Sequence, residues 1–426
     1  MVKKHPHKLS RRGFVVGAAA VAASTAAASV ALGGCQSVSA QQAVYDSVRS
    51  QFPKAKLEYL DVDPAQVLPH TEMTMVDSVE YLRETQNFEL PLGSLVYQSS
   101  DTQALVVAPG ASSKALIRLG LVQLDSGNFS PFLDEALGSG EDYVIYDARA
   151  SSDAVVWVEC NMVHGLWRVY AAHIISGAVG EGILQEPHLL DEGVESHVPP
   201  QVALSGTKVY WTVMPDAAGP AATEDSYLKA VELNAVATQA SVEPKIVYTS
   251  HGRMIATPLV SGDLITFVPR VDTDAVYYQL TTMDIATDTV QNIAILPPSL
   301  RVSDAVWLGD GFAFGIEGNY DYAKGLSLFG TYLQLGDGQF LYTNKAPTSA
   351  AMRMESLTFV KSTKNVLGLD PANDSVAIVR FMQDCVAYGD IMAGVGEQNR
   401  LVIYTTVTSR MGLEKGRCRV RVFDAI

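Results

Sequence analysis

From Leu92 to the C-terminus the chain is a succession of short apolar runs, such as Val209–Val213, Val376–Phe381 and Leu401–Val407, separated by Gly, Asp, Asn and Ser. Runs this short, rich in β-branched residues and bounded by turn formers, predict strands rather than helices. Two kinds of punctuation return along the chain. The first is a tight turn between two apolar strands: Ser99-Ser100-Asp101, Ser151-Ser152-Asp153, Ser205-Gly206-Thr207, Ser261-Gly262-Asp263 and Leu308-Gly309-Asp310, with weaker copies at Ser362-Thr363-Lys364 and Tyr388-Gly389-Asp390. Glycine or a short polar residue suits such a turn, because its central positions often require φ > 0. The second is a strand that closes on a small turn: Gln123-Leu124-Asp125-Ser126-Gly127, His173-Ile174-Ile175-Ser176-Gly177, Glu232-Leu233-Asn234-Ala235, Met283-Asp284-Ile285-Ala286-Thr287 and Gln334-Leu335-Gly336-Asp337-Gly338. The chain ends on Val422-Phe423-Asp424-Ala425.

The first turn recurs at intervals of roughly 50 residues, with about four strand-like runs in each. A four-stranded sheet cannot bury both faces alone, whereas a ring of such sheets packs face to face. The fold class expected is therefore all-β, a β-propeller. Five blades are legible at 93–133, 142–190, 198–247, 254–297 and 302–345. The remaining residues supply two further blades, giving about seven, or one blade with an inserted hairpin, giving six. The strand endings resemble those of TolB-like and WD-repeat propellers, in which an aliphatic-x-Asp-x-Thr/Ser-Gly run closes each blade. Residues 93–426 are thus expected to form the propeller domain. Residues 35–92 read as a tether and lead-in: Gln41–Gln51 suits a short helix and Leu57–Val62 alternates like a strand that closes the ring, but Pro53, Pro64, Pro69 and Pro91 interrupt the segment.

The first 34 residues have a different character. A basic leader (Lys3, Lys4, Lys8, Arg11, Arg12) precedes Phe14 and an Ala/Val-rich run that ends in Leu32-Gly33-Gly34-Cys35. Ser10-Arg11-Arg12-Gly13-Phe14 resembles the twin-arginine export signal, and Leu-Gly-Gly-Cys resembles the lipobox of bacterial lipoproteins. Together they imply export of a folded protein, with Arg11 and Arg12 as the export signal and Cys35 as the lipidated residue. The expected location is the outer face of the cytoplasmic membrane or cell surface, lipid-anchored. An uncleaved membrane anchor and cleavage after Val38-Ser39-Ala40 are the alternatives.

The chain carries 31 basic and 46 acidic residues, a formal charge of −15. Loss of residues 1–34 would remove five basic and no acidic groups. So acidic a protein repels nucleic acid and anionic headgroups, and no nucleic-acid partner is expected. The expected partners are the membrane, through the lipid anchor, and a protein, peptide or glycan ligand. Cys160, Cys385 and Cys418 lack metal-ligand spacing, and read as buried thiols or as one disulfide between Cys385 and Cys418. No Gly-x-Ser-x-Gly, His-Glu-x-x-His, phosphate-binding glycine loop or EF-hand loop occurs, and no metal or cofactor is expected.

Two sets of residues are candidates for ligand binding. Counting back eight or nine positions from the first turn reaches the entrance of each inner strand, where His197, Arg253, Arg301 and Arg353 stand, with Arg380 nine before Gly389. A ring of such groups would grip carboxylate or sulfate through paired hydrogen bonds. The alternative is ion pairing with neighbouring acids. The second set is aromatic: Tyr320 and Tyr322 in a glycine-bounded loop, and Trp167 in another, placed to stack against a sugar or peptide. A surface-tethered binding or scaffold lipoprotein is the leading expectation. A propeller lyase or hydrolase acting on an acidic carbohydrate in the central channel is the alternative.

Overall fold

Strands in the middle of each sheet are apolar on both faces because each face meets a different neighbour. In Gln103–Pro109, Ala104, Val106 and Ala108 pack towards one adjoining sheet, and Leu105 and Val107 towards the other. In Ala154–Asn161 every residue is buried: Val155 and Trp157 face backward along the chain, Ala154, Val156 and Val158 forward. This two-sided burial is why the strands read as continuous apolar runs.

The computed structural model describes residues 38–426 apart from 111–114, 139–141, 177–181, 219–222, 234–243, 299, 320–323, 345–349, 381, 383–388 and 408–415. Among the described residues there are seven sheets of four to six strands. Six are built around contiguous chain: blades 1 to 6, at 95–133, 143–193, 197–250, 255–295, 300–344 and 352–379. The seventh is assembled from both ends of the chain. Its outer strand, Leu82–Pro91, pairs antiparallel with the C-terminal strand Arg417–Ala425. Seven apolar interfaces join the sheets in sequence, and the last, between Val402, Cys418 and Val420 of blade 7 and Val96, Val106 and Val122 of blade 1, closes the circle. The molecule is a β-propeller.

The segment expected to be a lead-in is part of the fold. Helix Val38–Gln51 packs Val44 and Val48 against blade 4. Strands Lys56–Tyr59, Val67–Pro69 and Thr74–Asp77 then add parallel outer strands to blades 4, 5 and 6 in turn. The prolines that interrupt the sequence serve this path, since Pro64 opens a turn capped by Asp63 and Pro69 ends an edge strand. Ring closure belongs to Leu82–Pro91, not to the 57–62 strand.

Within each blade the four strands run antiparallel from the channel outward. The turns between first and second and between third and fourth strands therefore share one face, here the lower. The loops between second and third strands, and between blades, share the upper face. The turns at 99–101, 151–153, 205–207, 261–263 and 308–310 all lie on the lower face, as their spacing predicts. Ser362-Thr363-Lys364 does not: it joins the second and third strands of blade 6, whose first turn is at Glu355, with φ 52°.

The lower end of the channel is closed by the chain itself. Residues 393–400, between the first two strands of blade 7, cross it and bond to blades on opposite sides. Gln98 N of blade 1 donates to Ala393 O at 2.9 Å, Gly396 N to Ala351 O at 3.1 Å and Gln398 N to Arg353 O at 2.9 Å. Glu397 N reaches Ser261 Oγ of blade 4 at 3.3 Å. Gly396 is required there: its φ is +68°, and a Cβ would stand 2.7 Å from that of Ser261.

Candidate functional site

The upper mouth between blades 3, 4 and 5 gathers three arginines from separate chain segments. Arg253 lies in the loop entering the inner strand Ile255–Ser261. Its guanidinium donates to Pro215 O at the end of a blade 3 strand, and burial there disfavours its charge while Asp216 supports it. Arg270 stands where the second strand of blade 4 emerges on the upper face, in an isolated bridge with Tyr278. Arg301 lies on the inner strand of blade 5, with Nη2 3.5 Å from Glu317 Oε1. All three act on the Tyr278 hydroxyl through space: burial raises its pKa, and Arg270, Arg253 and Arg301 pull it back down. The Arg270 Nε is a buried donor with no hydrogen-bond partner among the described residues.

His197 belongs to the same mouth. Its backbone pairs with Pro215, its Nδ1 shares a 3.0 Å hydrogen bond with Ser196 Oγ, and its carbonyl accepts from Trp167 Nε1 at 3.2 Å. Asp304, three residues beyond Arg301, is half-buried. Desolvation pushes its carboxyl up to about 6 against a 2.7 Å hydrogen bond from Ser303, and Glu317 adds to the rise. His251 is exposed outside the cluster, 3.7 Å from both Asp225 and Asp272.

The inner strands of blades 1 to 3 carry charge of another kind. Arg149 lies over the Tyr97 ring at 4.5 Å and bonds Asp147 at 2.6 Å, while the second Asp147 oxygen accepts Val202 N of blade 3 at 3.0 Å. These groups staple three blades together and leave the carboxylate engaged on both oxygens.

The predicted ring of four basic residues is not formed. His197, Arg253 and Arg301 share the upper mouth, but Arg353 is on the lower face, bonded to Leu308 O and 2.9 Å from Asp310. The cause is the turn at 362–364: counting back from a second-to-third-strand turn lands on the wrong end of the inner strand. Arg380 is on the outside, 2.8 Å from Asp77. Trp167 is buried in the apolar interface between blades 2 and 3, so its ring faces core rather than solvent. Tyr320, Tyr322, Arg11, Arg12, Cys35 and Cys385 lie outside the described residues. Cys160 and Cys418 are free and buried, their thiols pushed up to about 11 and about 12 by desolvation, which suits packing rather than nucleophilic chemistry. Among the described residues no cluster of three or more His, Cys, Asp or Glu side chains is arranged to hold a metal.

Arg270 and Tyr278 were not found from sequence. The signal was there: Arg270 lies eight residues after Gly262, and a strand leaving a lower turn regains the upper face over that distance.

No family model matches the chain, and no curated protein resembles it in sequence. Solved structures with a similar arrangement include puromycin hydrolase, 14% identical with a TM-score of 0.49, the match covering 76% of this chain and 51% of that one. A polysaccharide lyase, Uly1, is 11% identical with a TM-score of 0.49, covering 79% and 91%. The β-propeller domain of the Trilobed protease from Pyrococcus furiosus, described as having an open velcro topology, is 12% identical with a TM-score of 0.39, covering 63% and 80%. This chain thus spans about half the length of the puromycin hydrolase it matches.

Proposed function

We propose that this chain is a surface-tethered binding protein whose upper mouth takes a carboxylate-bearing ligand, an acidic glycan or the acidic part of a peptide or partner protein. The observation that carries this reading is the placement of Arg253, Arg270 and Arg301 at the upper ends of neighbouring blade 4 and 5 strands, with a buried Arg270 donor that has no hydrogen-bond partner among the described residues. Planar guanidinium groups hold carboxylates in paired hydrogen bonds, and partial burial strengthens each one. The 393–400 crossing of the lower end favours entry of a ligand from the upper side. Export through Arg11 and Arg12 and acylation of Cys35 would hold the molecule outside the cytoplasmic membrane.

Calorimetric titration with oligogalacturonate, its neutral galactose counterpart and an acidic peptide tests the proposal. The acidic ligands should bind and the neutral one should not, and Arg270→Ala should weaken binding by about tenfold to a hundredfold, the loss of one charge-assisted pair. Equal binding of acidic and neutral sugars, or no effect of Arg270→Ala, overturns it.

Asp304 favours a second reading, a lyase or hydrolase acting on an acidic carbohydrate. A carboxyl with a pKa of about 6, on the same inner strand as Arg301, is poised to donate a proton close to neutral pH. Release of product from a uronate polymer by the wild type, and its loss in Asp304→Asn, would support catalysis. Binding without product in both proteins would leave the chain a binding module.

A further inference from the structure

The interface between blades 6 and 7 changes character along its strands. Leu357 and Phe359 of blade 6 and Leu401, Ile403 and Phe423 of blade 7 belong to one apolar cluster. Every second residue of a strand points to the same face. Towards the upper end the next residues on that face are Lys361 and Thr405, with Arg421 and Arg419 on the C-terminal strand. Lys361 is 3% exposed, and Arg419 and Arg421 are each 7% exposed. Three buried cations thus continue an apolar seam.

One carboxylate meets them. Asp390 is 0% exposed and precedes the two-residue inner strand of blade 7, Ile391–Met392. Its backbone is well held: its N donates to Lys364 O at 3.1 Å, and its carbonyl accepts from Lys361 Nζ. Thr405 Oγ1 donates to the adjoining Gly389 O at 2.9 Å. The side chain is not held, since neither carboxylate oxygen has a hydrogen-bond partner among the described residues. Arg421 Nη1 comes no closer than 3.8 Å to Oδ2. Its guanidinium is engaged elsewhere, on Glu84 Oε2 at 2.7 and 3.0 Å and on Arg380 O at 3.0 Å.

Among the described residues, the charged groups acting on Asp390 are Arg421, Lys361 and Arg419, which favour its ionisation, and Glu84, which opposes it. Desolvation outweighs the cations and pushes the carboxyl up to about 6. A buried carboxylate without hydrogen bonds is costly once ionised, and water is what would relieve it. The strand that follows offers the shortest way out. Ile391 and Met392 pair only with Tyr404 and Ile403, and Ala393 then starts the crossing that closes the channel, its N donating to Val402 O at 2.9 Å.

We infer that Asp390 is a proton-operated latch on the channel seal. With the carboxyl neutral, the inner strand of blade 7 and the start of the 393–400 crossing stay docked. With it ionised, they open locally and hydrate the charge. The folded value stands above that of an unfolded aspartate, so the neutral acid favours the closed seam. This contribution is whole below about pH 4 and is lost as the pH climbs through 6. The seal is firmest in acid and loosens in a neutral medium. None of this depends on what the upper mouth binds.

Amide exchange of the whole protein tests the latch, read as protection factors so that the intrinsic pH dependence of exchange drops out. Protection at Ala393 should fall about tenfold between about pH 5 and about pH 8, the change expected of a carboxyl moved from about 4 to about 6. Asp390→Asn keeps the shape of the side chain but cannot ionise, and should hold protection level over the same range. An unchanged Ala393 in the wild type, or an equal fall in Asp390→Asn, overturns the latch. Urea below the unfolding transition separates local from global opening. The Ala393 rate should stay flat while those of Ala154–Asn161 in blade 2 respond, and rates that rise in step overturn the inference. If the variant does not fold, the wild-type responses to pH and urea decide.

Discussion

The two faces of the propeller are built by opposite rules. On the lower face the turns are short, repeated and bonded to one another. Gly206, Gly262 and Gly309 take φ of 55°, 56° and 78°, Ser151 Oγ donates to Gly206 O of the next blade, and Arg400 bridges Asp125 at 2.6 Å and Asp424 at 2.7 Å. The 393–400 crossing then seals the channel. Among the described residues of the upper face no turn motif repeats, and the arginine cluster is found there. Where one face is spent on closure, the other is free to carry recognition, the usual division between scaffold and loops.

The largest effect that sharpens this contrast comes from Trp167, which lies near the upper face but belongs to the core. Trp167→Ala should destabilise the fold by about 3–5 kcal/mol, as truncation of a buried aromatic does. Gly193 lies so close to the ring that a Cβ there would meet it at 2.1 Å, so the void has little scope to collapse. Denaturant unfolding measures the loss, and the folded variant should bind galacturonate with unchanged affinity. A selective loss of binding in a variant of normal stability would return Trp167 to the site.

Gly396→Val attacks the lower face. Its positive φ and the nearby Ser261 side chain make the substitution worth about 1–3 kcal/mol of strain. Amide exchange at 393–400 should rise while Arg270 and its neighbours keep their protection. Coupled loss of ligand affinity at the upper mouth would show that the two faces are not independent.

The sequence spoke clearly about one face and faintly about the other, for a physical reason. Tight turns restrict residue choice through backbone φ, so Ser205-Gly206-Thr207 and Ser261-Gly262-Asp263 look alike. Five blades could be placed from them. Upper loops face no such restriction, and Arg270 has no counterpart in adjoining blades that counting would find. Arg353 was misplaced because Ser362-Thr363-Lys364 copies the lower-turn chemistry on the upper face. The strap from Lys56 to Asp77 was hidden because parallel edge strands of three or four residues have no hairpin partner in sequence.

A smaller effect separates the upper mouth by pH. The Asp304 carboxyl has a folded pKa of about 6, above that of the unfolded chain, because burial disfavours its charge. The neutral acid therefore favours the fold: this contribution is intact below about pH 4 and is lost as the pH climbs through 6. For a half-buried group the change is on the order of 1–2 kcal/mol. Asp304→Asn should stay flatter than the wild type between pH 4 and 7 in thermal unfolding, the two curves separating as Asp304 ionises. Parallel curves would mean that the carboxyl titrates as if in water.

The smallest expected change is the most discriminating. Arg353 and Arg270 are both arginines close to the channel, and sequence spacing treats the first as a ligand residue. Arg353 donates to Leu308 O and pairs with Asp310, an exposed carboxylate, so Arg353→Ala should cost no more than about 1 kcal/mol. Its effect on galacturonate affinity should be under twofold, because the sealed lower end separates it from the upper mouth. Arg270→Ala should do the reverse, weakening binding by about tenfold to a hundredfold with little loss of stability, since no hydrogen bond holds its Nε among the described residues. A double titration of the two variants under identical conditions gives the comparison directly. If Arg353→Ala weakens binding as much as Arg270→Ala, the channel is continuous from face to face and the 393–400 crossing is not a seal.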